Sequence, residues 1–286
     1  MDLPLSSQAR GEILRRFLAE DIGRGVFTSE ATVPEDCRAE AEFEAKSPLV
    51  LAGMELALET LRLLDPRLTT HTALSDGQSV RSGEILVRIS GNARALLAGE
   101  RVALNLLQHL SGVATLTRRF VDAVAGTGVE ILDTRKTTPG LRAFEKYAVT
   151  IGGGKNHRFA LDDAILIKDN HMRIAGGVGA AIRAAMKARG NARWVEAEVT
   201  NLAELDEAIA ERPNVILLDN FLPVDVREAV SRVRNNPRGH IRLEASGGIT
   251  LETVRIFAEA GVDWISVGAL THSAPASDIS LEIRVK

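Results

Sequence analysis

Five basic side chains, Arg135, Lys136, His157, Arg158 and Lys168, fall within the stretch 133–171 of a 286-residue chain whose formal net charge is only −3. Like charges gathered in a partly desolvated cleft repel one another, so a cluster of this kind makes physical sense only when an anion balances it. Arginine forks bind carboxylates and phosphates through paired hydrogen bonds, each charge-assisted bond contributing about 1.5–3 kcal/mol. The chemistry implied is capture of a small ligand carrying several negative charges. Arg142, Lys146 and Arg173 lie close by in sequence, but single charges of this type are ordinarily solvated and no role is assigned to them.

The residues that close the apolar runs extend the pattern. The run 129–132 passes into Asp133, Thr134, Arg135 and Lys136, and 164–167 into Lys168 and Asp169. The run 194–199 contains Glu198, and 215–218 ends in Asp219 and Asn220. The run 241–245 ends in Ser246, Gly247 and Gly248, and 264–267 in Gly268. Amphipathic segments at 202–211, 224–233 and 251–260 lie between the runs. Alternating strand and helix means βα units and a parallel sheet, and six such units favour a closed barrel over an open doubly wound sheet. In a βα barrel the C-terminal strand ends meet on one face, where such folds carry their active sites. A single polar strand end could be a cap or a solvated rim; six from distant segments converge.

Within that face, Ser246-Gly247-Gly248-Ile249-Thr250 reads as a glycine turn opening onto a helix capped by Thr250. Backbone amides and the positive end of the helix dipole there make a phosphate site, with Gly268-Ala269 as its other wall. Glu198 and Asp219, on neighbouring strand ends, suit either a shared Mg²⁺ carrying phosphate or hydrogen bonds to sugar hydroxyls. No histidine pair has metal-ligand spacing, which disfavours zinc. His157, His171 and His272 could act as general acids, although a lone histidine more often packs or bridges. Gly152-Gly153-Gly154 ahead of Lys155 makes a pliable loop or a close backbone approach to a ligand; it lacks the Gly-Lys-Ser/Thr of a Walker A loop. Group transfer between a phosphorylated ligand and a multiply charged carboxylate accounts for this set of residues.

The remaining sequence sets the frame. Hydrophobic residues are 45% and charged residues 26% of the chain, a globular balance with no overall bias towards nucleic acid or an anionic membrane. One cysteine, Cys37, excludes an internal disulfide framework and a cysteine-rich zinc site, and reads as a small strand residue in a reducing cytoplasm. The start, 1–8, lacks the pattern of a signal peptide, and no apolar run approaches the ~20 residues of a membrane span. The segment 38–45 alternates as a half-buried strand and 53–64 as an amphipathic helix. Asp76-Gly77 and Ser82-Gly83 mark turns before a strand at 85–89, and 92–125 is helical, with Gly99 and Gly112 favouring two helices over one rod. The tail 279–285 alternates as a further strand.

These residues resemble the quinolinate phosphoribosyltransferase family over nearly the whole chain. The resemblance is carried by LNLLQHLSGVAT at 104–115, DTRKTTPG at 133–140, GGGKNHR at 152–158, IKDNH at 167–171 and VGALTH at 267–272, with LLDNF at 217–221 and EASGGI at 244–249. It implies the type II phosphoribosyltransferase fold: an N-terminal α/β sandwich over 1–113, to which the tail 273–286 returns, and an incomplete TIM-like α/β barrel over 114–272. It implies transfer of phosphoribosyl from 5-phosphoribosyl 1-diphosphate to quinolinate with decarboxylation, for NAD biosynthesis, using Mg²⁺ and no nucleotide or covalent cofactor. Arg101, Thr134, Arg135, His157, Arg158 and Lys168 would hold quinolinate, with Lys136 between the substrates. Glu198 and Asp219 would face ribose and Mg²⁺, much of the ion's hold coming from diphosphate. Ser246, Gly247, Gly248, Gly268 and His272 would take the phosphate side, and Lys136, Lys168, Glu198 and Asp219 the catalytic roles. The resemblance further implies a homodimer with shared sites, Arg101 reaching the site of the other subunit, with association beyond the dimer left open.

Three other readings compete. Lys168 at a strand end, beside other cations, could form the Schiff base of a class I aldolase. A molybdenum-transport-associated homologue of the same fold would take another acceptor, and a non-catalytic anion-binding protein would show no turnover.

Overall fold

The computed structural model describes residues 3–236 and 240–285. Met1, Asp2 and Lys286, ends of the segments read above as the start and the tail, lie outside the described residues. The chain forms two compact units, one of 1–118, 138–153 and 273–286, the other of 119–137 and 154–272.

In the first unit, α1 (Ser7–Ile22) and α2 (Phe27–Thr32) precede β1 (Arg38–Ala45). Cys37 sits just before β1 rather than within it. β1 buries Ala39, Ala41, Phe43 and Ala45 and turns its glutamates outward, as a period of two demands. Then come β2 (Leu49–Val50), α3 (Met54–Arg62), β3 (Thr69–Ala73), β4 (Ser79–Val80), β5 (Ile85–Asn92) and α4 (Ala93–Ala123). β1 pairs antiparallel with β5 on one side and with the last strand, Ile279–Val285, on the other. The core of this unit joins the inward residues of β1 and β5 to Leu58 and Leu61 of α3 and to Leu96, Leu104 and Leu107 of α4. Asp76 caps α3 from a distance: its carboxylate accepts from the amides of Gly53 and Met54 at 2.7 and 3.1 Å.

Helix α4 is a single rod of 31 residues, not the two helices expected from Gly99 and Gly112. Both glycines answer to packing. A Cβ at Gly99 would lie 2.7 Å from Leu61 Cδ2, and one at Gly112 only 2.2 Å from the carbonyl oxygen of Pro275. The penalty of about 1 kcal/mol for a glycine inside a helix is outweighed by the close approach it permits. Gly152 follows the same rule, since its Cβ would meet the Ala114 carbonyl oxygen at 2.5 Å; the close contact is with α4, where a ligand was one expectation.

The long connection after residue 136 contains α5 (Arg142–Ile151), which joins the first unit. The Tyr147 hydroxyl donates to Asp76 at 2.8 Å, and buried Glu145 pairs with His109 at 2.9 Å. Lys146, expected to be solvated, is 1% exposed. Residues 138–153 thus belong to the first unit, although in sequence they interrupt the segments of the second.

The second unit holds β6 (Glu130–Leu132), β7 (Ile165–Ile167), α6 (Asp169–Ala175), α7 (Val178–Ala188), β8 (Val195–Val199), α8 (Leu202–Glu211), β9 (Val215–Asp219), α9 (Pro223–Arg234), β10 (Arg242–Ser246), α10 (Val254–Glu259), β11 (Trp264–Ser266) and α11 (Ala269–His272). The strands form one parallel sheet in the order β6-β11-β10-β9-β8-β7. Because β6 and β7 stand at opposite ends of that order, the ring stays open between them. The closed barrel expected from alternation alone gives way to the incomplete barrel. The outer edge of β6 is met instead by the chain at Lys155, whose amide donates to Ile131 at 2.8 Å.

Replacing Gly112 by alanine raises intrinsic helix propensity but drives a methyl into the Pro275 carbonyl. With overpacking costing about 1–3 kcal/mol, Gly112→Ala should lose stability and lower the thermal midpoint in calorimetry. An unchanged or higher midpoint would mean that the chain near Pro275 yields freely.

Candidate active site

Strand alternation stacks the inward side chains of the second unit in three layers. At the bottom, Ala164, Trp194, Val215 and Trp264 form an apolar plug, the two indoles meeting edge to face at 5.8 Å. Two residues further along their strands come Leu166, Glu196, Leu217 and Ser266, joined at that level by Glu244. Two further again come Lys168, Glu198, Asp219, Ser246 and Gly268, at the C-terminal ends. Above the plug is a cavity of about 270 Å³. Thr134, Arg135, Lys136, His157, Arg158, Lys168, Glu198, Asp219 and Ser246, all singled out in the sequence, line it together with Leu166, Leu217, Glu244 and Ser266 of the middle layer.

The cations reach the cavity by different routes. Arg135 and Lys136 follow β6, where the hydroxyl of Thr134 accepts the Lys136 amide at 3.0 Å and Thr271 donates to the Lys136 carbonyl at 2.7 Å. The Nε of Arg135 is buried without a hydrogen-bond partner. Arg158 is 7% exposed; it donates through Nη1 to the Ala164 carbonyl at 3.3 Å. Burial, and after it the charge of Arg135, lowers the pKa of its guanidinium. Lys168 caps α6 and forms an ion pair with Glu198 of β8. His171 accepts the Lys168 amide through Nδ1 at 3.0 Å, a local bridge.

His157 lines the cavity, but both ring nitrogens are engaged. Nε2 lies 3.0 Å from Glu196 Oε2 and 3.3 Å from Glu244 Oε2, while Nδ1 accepts the Arg158 amide at 2.8 Å. Burial works against a charged ring, yet the two glutamate carboxylates that face Nε2 outweigh it and raise the pKa of the ring. A ring protonated at both nitrogens would set one N–H against another at the Arg158 amide. The contacts therefore describe the Nε2–H tautomer, with the cluster's second proton on Glu244, whose pKa is raised by burial and then by the charge of Glu196. Either placement leaves the cluster with the same net charge.

On the opposite wall, Gly247 (φ 97°) and Gly248 (φ 62°) are left-handed, and a Cβ at Gly247 would lie 2.2 Å from Asn220 Oδ1. The turn is thus pressed onto the end of β9, where Asn220 also donates its amide to the Ser246 carbonyl at 2.9 Å. The helix beyond does not begin at Thr250. The Thr250 amide is bonded to the Thr253 hydroxyl at 3.0 Å and α10 starts at Val254, so the expected anion site rests on the glycine turn rather than on a helix end. Gly268 completes the wall: a Cβ there would lie 3.1 Å from both His272 Nε2 and Lys136 Cδ. Arg101 stands exposed on α4, in the first unit.

Reading only the strand ends missed Glu196, Glu244 and Ser266. The missing signal is one step of the strand period: Glu196 and Glu244 sit two residues before Glu198 and Ser246, as acids inside otherwise apolar runs. Asp133, fully buried, was noted only as a strand end; its Oδ1 accepts the His157 amide at 2.9 Å.

Comparisons with known proteins agree along the whole chain. Residues 27–111 match the model of the quinolinate phosphoribosyl transferase N-terminal domain, and 113–282 that of the C-terminal domain. The chain is 44% identical over 279 residues to a nicotinate-nucleotide pyrophosphorylase [carboxylating] of Mycobacterium leprae, covering 96% of this chain and 97% of that one. It is 40% identical over 290 residues to quinolinate phosphoribosyltransferase [decarboxylating] 2a, mitochondrial, of Nicotiana tabacum, covering 95% of this chain and 81% of that one. The solved nicotinate-nucleotide pyrophosphorylase of Francisella tularensis superposes with a TM-score of 0.91 at 40% identity, covering 99% and 100% of the two chains. An open barrel with a cation-lined mouth, matched from end to end in this way, places the chain in the quinolinate phosphoribosyltransferase family.

Proposed function

We propose that the cavity of the second unit is where this chain joins quinolinate to 5-phosphoribosyl 1-diphosphate, releasing nicotinate mononucleotide, diphosphate and CO₂, a step of NAD biosynthesis. The observation that carries the reading is the convergence of Arg135, Lys136, Arg158 and Lys168 on one cavity that also holds the carboxylates of Glu198 and Asp219. A pyridine dicarboxylate and a ribosyl diphosphate between them supply the negative charge that Arg135, Lys136 and Arg158 lack and that Lys168 finds only in Glu198.

Arg135, Arg158 and Lys168 hold the quinolinate carboxylates, with Thr134 beside them, and Lys136 stands between the two substrates. The glycine turn Ser246-Gly247-Gly248, with Gly268 and His272, takes the ribose phosphate. Glu198 and Asp219 offer hard oxygen donors on neighbouring strand ends, a set that fits Mg²⁺ and ribose hydroxyls alike. When bound, Mg²⁺ neutralises charge on the departing diphosphate. The pyridine nitrogen attacks the ribose carbon as its bond to diphosphate breaks, and the cations stabilise the charge that develops. The ring, now quaternised, accepts the electron pair released when the adjacent carboxylate leaves as CO₂, and a proton takes its place. Positioning and electrostatics are the chain's contribution.

We further propose that the chain works in the cytoplasm as a homodimer, in which Arg101 of one subunit completes the quinolinate site of the other. The single cysteine suits the compartment. No described helix is long and apolar enough to cross a membrane.

Incubation with quinolinate, 5-phosphoribosyl 1-diphosphate and Mg²⁺ should yield nicotinate mononucleotide and CO₂, and nicotinate as acceptor should not; absence of both products would sink the reading. Lys136→Ala should cut kcat/KM about 10–100-fold, as loss of charge-assisted bonds worth about 1.5–3 kcal/mol requires, while the melting temperature of this exposed position stays put. Arg101→Ala and Lys168→Ala should each be inactive alone, and mixed dimers of the two should recover part of the activity. Verified mixed dimers without recovery would refute the shared site.

A further inference from the structure

The middle layer of the barrel holds two acids where apolar side chains would fill the space more cheaply. Leu166 and Leu217 occupy this level on β7 and β9, whereas β8 and β10 place Glu196 and Glu244 there, 0% and 1% exposed. Burying a carboxylate costs several kcal/mol unless it is fully hydrogen-bonded, yet Glu196 Oε1 has no partner. The other oxygen of Glu196 accepts the indole N–H of Trp194 at 3.0 Å as well as facing His157 Nε2. The His157 ring stands edge-on to that indole at 5.4 Å, so its plane and its tilt are both set. From the ring the constraint passes along the chain: Nδ1 receives the amide of Arg158, and the guanidinium of Arg158 lines the cavity.

We propose that Glu196 and Glu244 are positioning residues: Glu196 accepts the Nε2–H of His157 and the Glu244 carboxylate stands 3.3 Å from the same nitrogen, so that together they hold the ring beneath the cavity and, through Nδ1, the main chain that aims Arg158 at a substrate carboxylate. The inference rests on the functional reading above and adds to it two residues whose effect on quinolinate passes through His157 and Arg158. A cation-binding role fits the same three side chains less well. Their ligand atoms lie within 4.8 Å of one another, but a metal on Nε2 would require the proton on Nδ1, against the Arg158 amide.

Glu244 lines the cavity, so water can replace its carboxylate when it is truncated. In Glu244→Ala the KM for quinolinate should rise about tenfold, the scale of one charge-assisted hydrogen bond. The kcat and the KM for 5-phosphoribosyl 1-diphosphate should stay within about threefold. Glu244→Gln, which keeps an acceptor, should restore the quinolinate KM. If the truncation unfolds, Glu244→Leu fills the space without an acceptor and carries the same expectation. Independently of turnover, nitrogen NMR of the free wild-type protein should find His157 as the Nε2–H tautomer at neutral pH, and Glu244→Ala should lose that preference. A wild-type ring protonated at Nδ1, or a quinolinate KM unmoved in a folded Glu244→Ala or Glu244→Leu, overturns the proposal. A wild-type protein with the expected tautomer but no product would instead overturn the functional reading and, with it, the substrate named here.

Discussion

Like charges held at one barrel mouth are the constraint on which the rest of this molecule depends. Two unit charges about 4 Å apart interact by about 4 kcal/mol at the effective dielectric of a protein surface, and Arg135, Lys136, Arg158 and Lys168 all reach one cavity of about 270 Å³. Strand ends cannot drift apart to relieve that repulsion, because each is tied into the parallel sheet. The relief is local: Glu198 neutralises Lys168 at the rim, and the acids below counter the charge from beneath. Repulsion left over is what an incoming polyanion removes, so weak self-stability at the mouth and strong substrate capture have one origin.

The opening between β6 and β7 serves the same end. A closed ring would offer the mouth only side chains carried by strands. In the open one, the chain at Lys155 pairs with the outer edge of β6, and Asp133 at the end of that strand receives the His157 amide. Two residues that no strand carries are thereby delivered into the barrel. Below them the Trp194 and Trp264 plug, with Arg193 over the first indole and Arg242 over the second, closes the floor.

What the sequence disclosed and what it concealed divide along a physical line. The six strands of the barrel were legible because each is a short apolar run, and the cations because their types are rare at strand ends. Helix α4 was misread because propensity is a local quantity, while the reason for Gly112 is a carbonyl at Pro275, far along the chain. Lys146 was misread for a related reason: a charge in an amphipathic segment is solvated unless a distant element covers it. The open ring was implied by the family resemblance but not by alternation, which counts the long connection between β6 and β7 as just another loop. Thr250 has the right type for a cap, but the Thr253 hydroxyl takes its amide first.

Glu196 and Glu244 are the most telling of the concealed residues, because their signal was present and pointed inward. An acid inside an apolar strand is unfavourable for stability on its own, and pairing recovers only part of the cost. Filling the same layer with leucines, as β7 and β9 do, would make a firmer barrel. It would also leave the His157 ring free to turn, and a ring free to turn leaves the Arg158 amide without its acceptor. The position of a guanidinium that must meet a planar carboxylate is then set only by its bond to the Ala164 carbonyl and its own long, flexible stem. An arginine gains most from its fork when little rotamer freedom remains to be lost on binding. The buried acids therefore belong to the recognition of the substrate, although they lie below the residues that touch it.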